Sequence, residues 1–530
     1  MSERDAVDVV VVGSGAAGAA VSWRLASKGV RVVCLEQGDW VRPEEFPSSR
    51  PDVEVQVRRG RFHMSPNVRR RPADYPVNTG SEHVDLMMFN GVGGSTVHWE
   101  GHFPRFHPSD FRVRSLDGVA EDWPIRYEEL EPYYDLNDRI MGVSGIAGDP
   151  ANPPRLARPM PPLPLGRRGE VVARAFDKLG WHWWPSDNAV ASRDYDGRKG
   201  CDFRGFCNFG CARRAKASVD VCYWPKALAA GAVLRTRARA LEVTVDAAGR
   251  ARGVVYDDRA GNRHEQRGRV VVVCGNGVGT PRLLLSSRSK LFPQGLANGN
   301  GLVGRNLMLH PAWAVDGIFA ERVDGHVGIT GNPLFSQQFY ETDAGRDFLR
   351  GYMMVLYGAY GPLDLALQAV PWGAGHHEEM RRRFGHQLTI VIMGEDLPEA
   401  QNRVELDPDA RDSSGMPGAR VAYTYGENSL RILRHGVAMA RRLLEAAGAV
   451  EIREGPSPAH FAHLMGTARM GQDPKTSVVT AWNQAHEVPN LFIVDGSSFT
   501  TAAAVNPTCT IGALALRAAD GIWQQRTKWA

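Results

Sequence analysis

The sequence is poor in several things, and each shortage removes a class of protein. Only seven of its 530 residues are cysteine. That is too sparse, and odd in number, for a disulfide scaffold, and it fits a reducing compartment. No apolar run reaches the length needed to span a bilayer. The first residues, Met1-Ser2-Glu3-Arg4-Asp5, hold no basic region, no separate hydrophobic region and no twin arginine. A cytoplasmic protein is therefore expected, unless the chain is carried out by a signal-bearing partner. Charge is nearly balanced, with 63 Lys and Arg against 59 Asp and Glu. The basic residues are scattered, and Arg69-Arg70-Arg71 and Arg381-Arg382-Arg383 read as solvated surface, so no nucleic-acid partner is expected. There is no internal repeat and no low-complexity linker. What remains is the composition of an ordinary globular protein, 43% apolar and 23% charged, with a length that calls for two joined domains.

Near the start, Val7 to Val12 (VDVVVV) is a continuous β-branched run, the pattern of a strand buried on both faces of a parallel sheet. Gly13-Ser14-Gly15-Ala16-Ala17-Gly18 follows, then a helical stretch to Ser27, then a second strand from Val30 to Leu35 ending at Glu36. Gly13 allows a tight turn, Gly15 lets the backbone approach a pyrophosphate, and Gly18 lets helix pack on strand. The helix N-terminus offers free N–H groups and partial positive charge to phosphates. Glu36 can accept hydrogen bonds from ribose hydroxyls. Strand, turn, helix, strand and acid in this order indicate dinucleotide binding, with Gly13, Gly15, Ala17, Gly18 and Glu36 as candidate contacts. A bare glycine turn without a ligand is the competing reading. The motif does not separate FAD from NAD.

The far end of the chain carries a second signal. Leu491 to Val494 is an apolar strand that ends in Asp495-Gly496, and Asn506-Pro507-Thr508 precedes a helical run from Cys509 to Ile522. Asn at a cap and Pro at the first helical position form a helix-start signature.

The order of these segments resembles the glucose–methanol–choline (GMC) oxidoreductases. The likeness comprises the N-terminal glycine turn, Asn90-Gly91-Val92-Gly93-Gly94-Ser95-Thr96, Thr280-Pro281-Arg282-Leu283-Leu284-Leu285, His463-Leu464-Met465-Gly466-Thr467, Asp495-Gly496 and Asn506-Pro507-Thr508. It spans residues 13 to 508 and departs from the family at Ser287-Arg288, where a Ser-Gly pair is usual. The resemblance implies FAD, held non-covalently, and oxidation of an alcohol by hydride transfer to flavin N5. It implies that Asp495 and Gly496 meet the ribityl chain and that Ala240 meets the adenine. It also implies that Asn90, Gly93, Gly94, Ser95 and Thr96 lie along the pyrophosphate and flavin. Pro507 and Thr508 open a helix aimed at the flavin ring. His463 matches the base, suited to proton transfer near neutral pH, and Asn506 matches the partner of the substrate oxygen. His460 is a second candidate base if that segment is helical. Cap and active-site roles compete for the one Asn506 side chain.

Two further segments bear on chemistry. Gly93 to Trp99 resembles the flavin-attachment segment of fungal pyranose oxidases, which makes a covalent link at His98 the alternative to free FAD. Cys201, Cys207 and Cys211 are spaced as in bacterial flavin glucose dehydrogenases that carry a three-iron cluster, with Arg204, Arg213 and Arg214 nearby to offset its charge. A glycine-rich loop with free thiols is the favoured reading of the same residues, and no zinc site is expected.

The implied fold is a discontinuous α/β FAD-binding Rossmann-like domain (1–115, 201–310, 456–530) plus an α+β substrate domain with an antiparallel sheet (116–200, 311–455). In the latter, 387–393, 402–407 and 420–425 read as strands of that sheet and 429–447 as a helix. Trp181-His182-Trp183-Trp184 reads as a buried strand rather than a sugar-stacking platform. The leading function is oxidation of a sugar, polyol or glycoside. Competing readings are an aryl, terpenoid or sterol alcohol, a redox-silent lyase-type flavoprotein, or an electron-transfer subunit. The electron acceptor is left open between O2, a quinone and a partner protein, and a small accessory subunit is compatible with all of these.

Overall fold

The computed structural model describes residues 6–529 apart from 59, 61, 81–83 and 456–459. The valine run forms the strand Val7–Val12, and Val9, Val10 and Val11 are wholly buried. It lies inside a seven-stranded sheet between two parallel partners, Val32–Glu36 and the C-terminal half of Arg263–Val273. Val233–Thr236 extends one edge in parallel. The long strand Arg263–Val273 serves two neighbours on its other side. Its first half pairs antiparallel with Ala251–Asp257, and its last residues pair parallel with Leu491–Ile493. Val12 and Ile493 both align with Val273. The glycine turn at residue 13 and the acid at residue 495 therefore leave the same sheet end side by side, where open α/β sheets bind ligands.

The helix Ala16–Ala26 follows the glycine turn and packs against the C-terminal helix Thr508–Gln524. An Arg24–Asp520 ion pair at 2.8 Å joins the two.

A second, six-stranded antiparallel sheet runs in the order Glu451–Glu454, Ala312–Ile318, Gln387–Gly394, Tyr352–Tyr357, Leu334–Phe339, Trp184–Pro185. Its central strands alternate. Val315, Leu388, Ile390, Ile392, Tyr352, Met354 and Leu356 pack under the helix Glu427–Ala447, whose Ile432, Leu433, Leu443 and Leu444 are buried. The opposite face carries Ala312, Ala314, Val355, Val391 and Met393, which line a cavity. A period of two is what sends alternate residues to opposite faces.

Two expectations need correction. Residues 402–407 and 420–425 do not join the sheet of 387–393. Arg403–Arg411 and Pro417–Ala422 form a separate three-stranded sheet with Val77–Asn78. The first of these strands lies instead against Gly304, where φ is +91° and an added Cβ would lie 2.2 Å from the Val404 carbonyl oxygen. There the Val404 N–H donates to Gly304. The Trp181 segment is strand only at Trp184–Pro185, on the sheet edge. Trp181 packs edge-on against Phe339 at 5.1 Å, half-buried and away from the main cavity.

Arg350 stitches the second sheet to the segment after the first glycine loops. Its buried guanidinium pairs with Asp110, with Glu395 at 2.9 Å and with Asp117 at 3.4 Å. Arg350→Leu leaves three carboxylates with buried side chains, Asp110, Glu395 and Asp117, without this counter-charge. It is expected to cost about 3–5 kcal/mol, read as a lower midpoint in denaturant unfolding; an unchanged midpoint contradicts this role.

Candidate cofactor and active site

The cavity between the two sheets measures about 1280 Å³. Ordinary ligand pockets run to roughly 300–1,000 Å³, so this one has room for a dinucleotide and a small substrate together. Two glycine turns face each other across one end. Gly13 has φ +96°, and an added Cβ would stand 2.4 Å from the Cys274 carbonyl oxygen. Gly94 has φ +53°, and an added Cβ would stand 2.8 Å from Gly15 Cα. The turns already touch there, so a side chain at Gly94 would push them apart, and one at Gly13 would strike the Cys274 carbonyl.

Glu36 lies at that end, its carboxylate accepting from the Ser14 N–H (3.0 Å), the Ser14 hydroxyl (2.7 Å) and the Gly38 N–H (2.8 Å). A carboxylate has about four acceptor positions, so one remains for a ligand hydroxyl. Burial raises its pKa against these hydrogen bonds. Ala17, Asn90, Ser95, Thr96 and Ala240 also line the cavity, whereas Gly18 and Gly93 stand behind its wall. Gly18 is a packing glycine, since a Cβ there would meet the Gly13 carbonyl oxygen at 1.8 Å.

Asp495 and Gly496 line the middle of the cavity. The Asp495 carboxylate accepts from Ser497 N–H (2.8 Å), Asn276 N–H (3.0 Å) and the Thr280 hydroxyl (2.6 Å). The Thr280-Pro281 segment thus acts by holding this acid. Pro507 and Thr508 line the wall where the helix Thr508–Gln524 begins.

Asn506 is not the helix cap the sequence suggested. Pro507 occupies the cap position, with no side-chain cap bond, and this releases the carboxamide. Asn506 Nδ2 lies 3.3 Å from His463 Nε2, and Asn506 Oδ1 lies 2.9 Å from His102 Nδ1. His463 Nδ1 lies 2.9 Å from His310 Nδ1. Burial first, then the cost of a second positive charge beside His310 and His102, holds His463 well below the usual imidazole range. Burial pushes His310 and His102 each down to about 4. His460 lies in the two-residue strand His460–Phe461 rather than on a helix with His463, which removes the reason to pair them.

Sequence reasoning missed His310, His102 and Lys216. Each is a lone residue whose role comes from tertiary contact. Lys216 is buried and donates to the carbonyls of Val97 (2.8 Å), Trp99 (2.6 Å) and Cys207 (2.6 Å). It ties the His98 loop to the cysteine loop.

Comparison with known proteins agrees with this geometry. Residues 161–312 and 398–515 match the models described as GMC oxidoreductase, and residues 11–66 match an NAD(P)-binding Rossmann-like domain. The chain is 45% identical to the 2-methyl-1,2-propanediol dehydrogenase of Mycolicibacterium austroafricanum, over 98% of this chain and 95% of that one. It is 30% identical to the fructose dehydrogenase large subunit of Gluconobacter japonicus, over 98% of each. The chain belongs to the GMC oxidoreductase family. The formate oxidase of Aspergillus oryzae shares the fold, with a TM-score of 0.68 at 16% identity over the whole of both chains.

This GMC enzyme is an FAD-dependent oxidoreductase acting on alcohol groups. Its residues fit that cofactor on physical grounds. The two glycine turns meet without side chains and leave bare backbone on the cavity wall, and a helix N-terminus opens on the cavity, both suited to a pyrophosphate. Several buried polar atoms on its wall lack protein partners: His98 Nε2, Trp99 Nε1, His102 Nε2 and Asn332 Oδ1. Unpaired buried polar atoms are costly, and a bound ligand relieves them. His98 Nδ1 donates to the Asn208 carbonyl at 2.9 Å, so its Nε2 turns a lone pair to the cavity, and burial keeps the ring neutral with a pKa near 3.

Cys201, Cys207 and Cys211 are half-buried free thiols in the loop that supplies Phe203, Arg204, Phe206 and Asn208 to the cavity. Among the described residues, no three His, Cys, Asp or Glu side chains stand where they could hold a metal ion together. No described helix is long and apolar enough to cross a membrane.

Gly94→Val forces the two touching glycine turns apart with a side chain that also resists a left-handed backbone. The folded protein is expected to purify with little FAD, measured as the ratio of flavin to protein absorbance. A full complement of FAD contradicts the placement of the pyrophosphate.

Proposed function

We propose that this enzyme oxidises an alcohol carbon of a small polyol or sugar-like substrate, with His463 as the base that takes the hydroxyl proton. The meeting of His463 Nε2 and Asn506 Nδ2, 3.3 Å apart on the wall of the cavity, carries this reading. When bound, FAD supplies a hydride acceptor at its N5. His463 is neutral at physiological pH because burial disfavours its charged form. Its ring nitrogen facing Asn506 is then available to a hydroxyl proton. The Asn506 amide donates towards the same oxygen and holds it beside the base. The helix beginning at Thr508 adds partial positive charge at this point, which favours negative charge developing in the cavity.

The wall opposite supports the substrate class. Ala312, Ala314, Val355, Val391 and Met393 give a small aliphatic surface, while Asn332, His102, Glu100 and Tyr357 offer polar partners. A short carbon frame with more than one hydroxyl suits both sets. The chemistry of the diol named for the 45% identical relative points the same way. Its tertiary carbinol carbon carries no hydrogen, so a hydride can leave only from the primary alcohol. We carry that preference over to this chain: a primary alcohol beside a second hydroxyl. The 45% identical relative is named a dehydrogenase, which favours a quinone or a partner protein as the final acceptor, while relatives at 30–31% identity include both a dehydrogenase and oxidases. FAD is read as non-covalent. An imidazole and a carboxamide converging on the cavity favour redox work over a purely structural flavin.

His463→Ala is expected to retain FAD while slowing anaerobic flavin bleaching by 2-methyl-1,2-propanediol about 10²–10⁴-fold. Bleaching at the wild-type rate removes His463 from the mechanism.

A further inference from the structure

We propose that His310 is a positioning residue that decides which nitrogen of His463 carries the proton, so that the nitrogen facing the cavity is already bare. The proposal rests on His463 being the base.

Two backbone carbonyls decide the proton pattern. His310 Nε2 lies 3.1 Å from the Ala502 oxygen and 2.8 Å from the Ala503 oxygen. Carbonyl oxygens only accept, so Nε2 carries a hydrogen. The ring is buried and neutral, its pKa pushed down to about 4 by desolvation. A neutral imidazole has one N–H, which leaves His310 Nδ1 bare. The atom facing it at 2.9 Å is His463 Nδ1, which must therefore donate. His463 is neutral for the same reason of burial, so its Nε2 is bare. The Asn506 contacts obey this assignment, and Asn332 Nδ2, 3.1 Å from His102 Nδ1, fits it once that amide is turned to present its oxygen. Asn506 Nδ2 donates towards His463 Nε2 at 3.3 Å, and Asn506 Oδ1 accepts from His102 Nδ1 at 2.9 Å.

The backbone is arranged for this contact. Met308 and Met465 exchange N–H to carbonyl bonds of 3.0 and 3.1 Å in antiparallel pairing. Two residues along in opposite directions, His310 and His463 face each other, the place where cross-strand side chains meet. Their rings sit edge to face with centroids 5.0 Å apart. His310 also has φ +61°, in the left-handed region uncommon for a residue with a side chain. Such strain persists only where surrounding contacts hold it. Here the Leu309 N–H donates to Asp396 at 2.9 Å, just before His310. The three buried histidines meet no carboxylate in these contacts, so the tautomer is set by neutral groups alone.

The consequence is chemical. An imidazole in water favours the opposite tautomer, with its proton on Nε2. Presented that way, His463 would offer an N–H to the substrate hydroxyl and could not accept its proton. A wrong tautomer is costly wherever an imidazole serves as base.

The test uses the FAD-loaded full chain with ¹⁵N-labelled histidine and compares His310→Phe with His310→Gln. Glutamine can accept from His463 Nδ1 through its oxygen and donate to a carbonyl through its amide; phenylalanine can do neither. In the wild type the ¹⁵N spectrum should show His463 protonated at Nδ1 and bare at Nε2. His310→Gln should keep that signature and stay within a few-fold of wild-type kcat. His310→Phe should show the Nε2-protonated form, with kcat lower by about 10²-fold or more and KM little changed. An Nε2-protonated His463 in the wild type overturns the proposal, even if the variants fail to fold. So does His310→Phe with an unchanged tautomer, whether its rate is normal or reduced. A fully active His463→Ala would instead break the underlying base assignment and leave the tautomer result standing.

Discussion

Three short backbone contacts hold the chemistry of this protein in place. Gly304 N–H donates to Thr467 at 2.7 Å, Met308 and Met465 bond reciprocally, and Gly466 N–H donates to Gly496 at 3.0 Å. They knit a segment leading into the antiparallel sheet, the segment carrying His463, and the end of the parallel sheet carrying Asp495. The approach is close enough that a Cβ on Gly466, where φ is +87°, would lie 2.2 Å from the Asn306 carbonyl oxygen. The histidine is thus set by backbone hydrogen bonds shared between both sheets, which need pairing once buried. It does not hang from one loop, and its distance from the cofactor end of the cavity follows from the fold itself.

That placement is dry, and dryness governs the electrostatics. His98, His102, His310 and His463 are all held neutral by burial. Neutral imidazoles can accept as well as donate, which a line of imidazolium ions could not. Charged groups on the cavity wall are tied down by hydrogen bonds, as Glu36 and Asp495 are, while the Arg350 cluster pairs its charges. Lys216 is likewise buried, and three carbonyls satisfy its three N–H donors.

Much of this was legible in the sequence where local chemistry dictates it. The valine run, the Gly13 turn and Glu36 announce a nucleotide site, because each residue type is demanded by backbone conformation or by phosphate approach. The far segment from Leu491 to Thr508 is legible for the same reason. The strands at 403–411 and 417–422 were legible as strands but not as members of a separate sheet, since alternation carries no information about partners. On its local residues alone Asn506 reads as a helix cap, and only the family resemblance favours the active-site role; the observed cap position of Pro507 frees its side chain for His463. His310 and His102 carried no signal at all. Nothing in their sequence neighbourhood shows that tertiary contacts will line them up beside His463.

The account stands or falls on whether the carbon–hydrogen bond of a bound alcohol breaks at this cavity. Anaerobic stopped-flow mixing of the holoenzyme with 2-methyl-1,2-propanediol, protiated or deuterated at its primary carbon, measures this directly. The account predicts complete bleaching of the flavin, slowed by deuterium with a normal primary isotope effect. No bleaching by this diol or by any alcohol or sugar in a wider panel would contradict it.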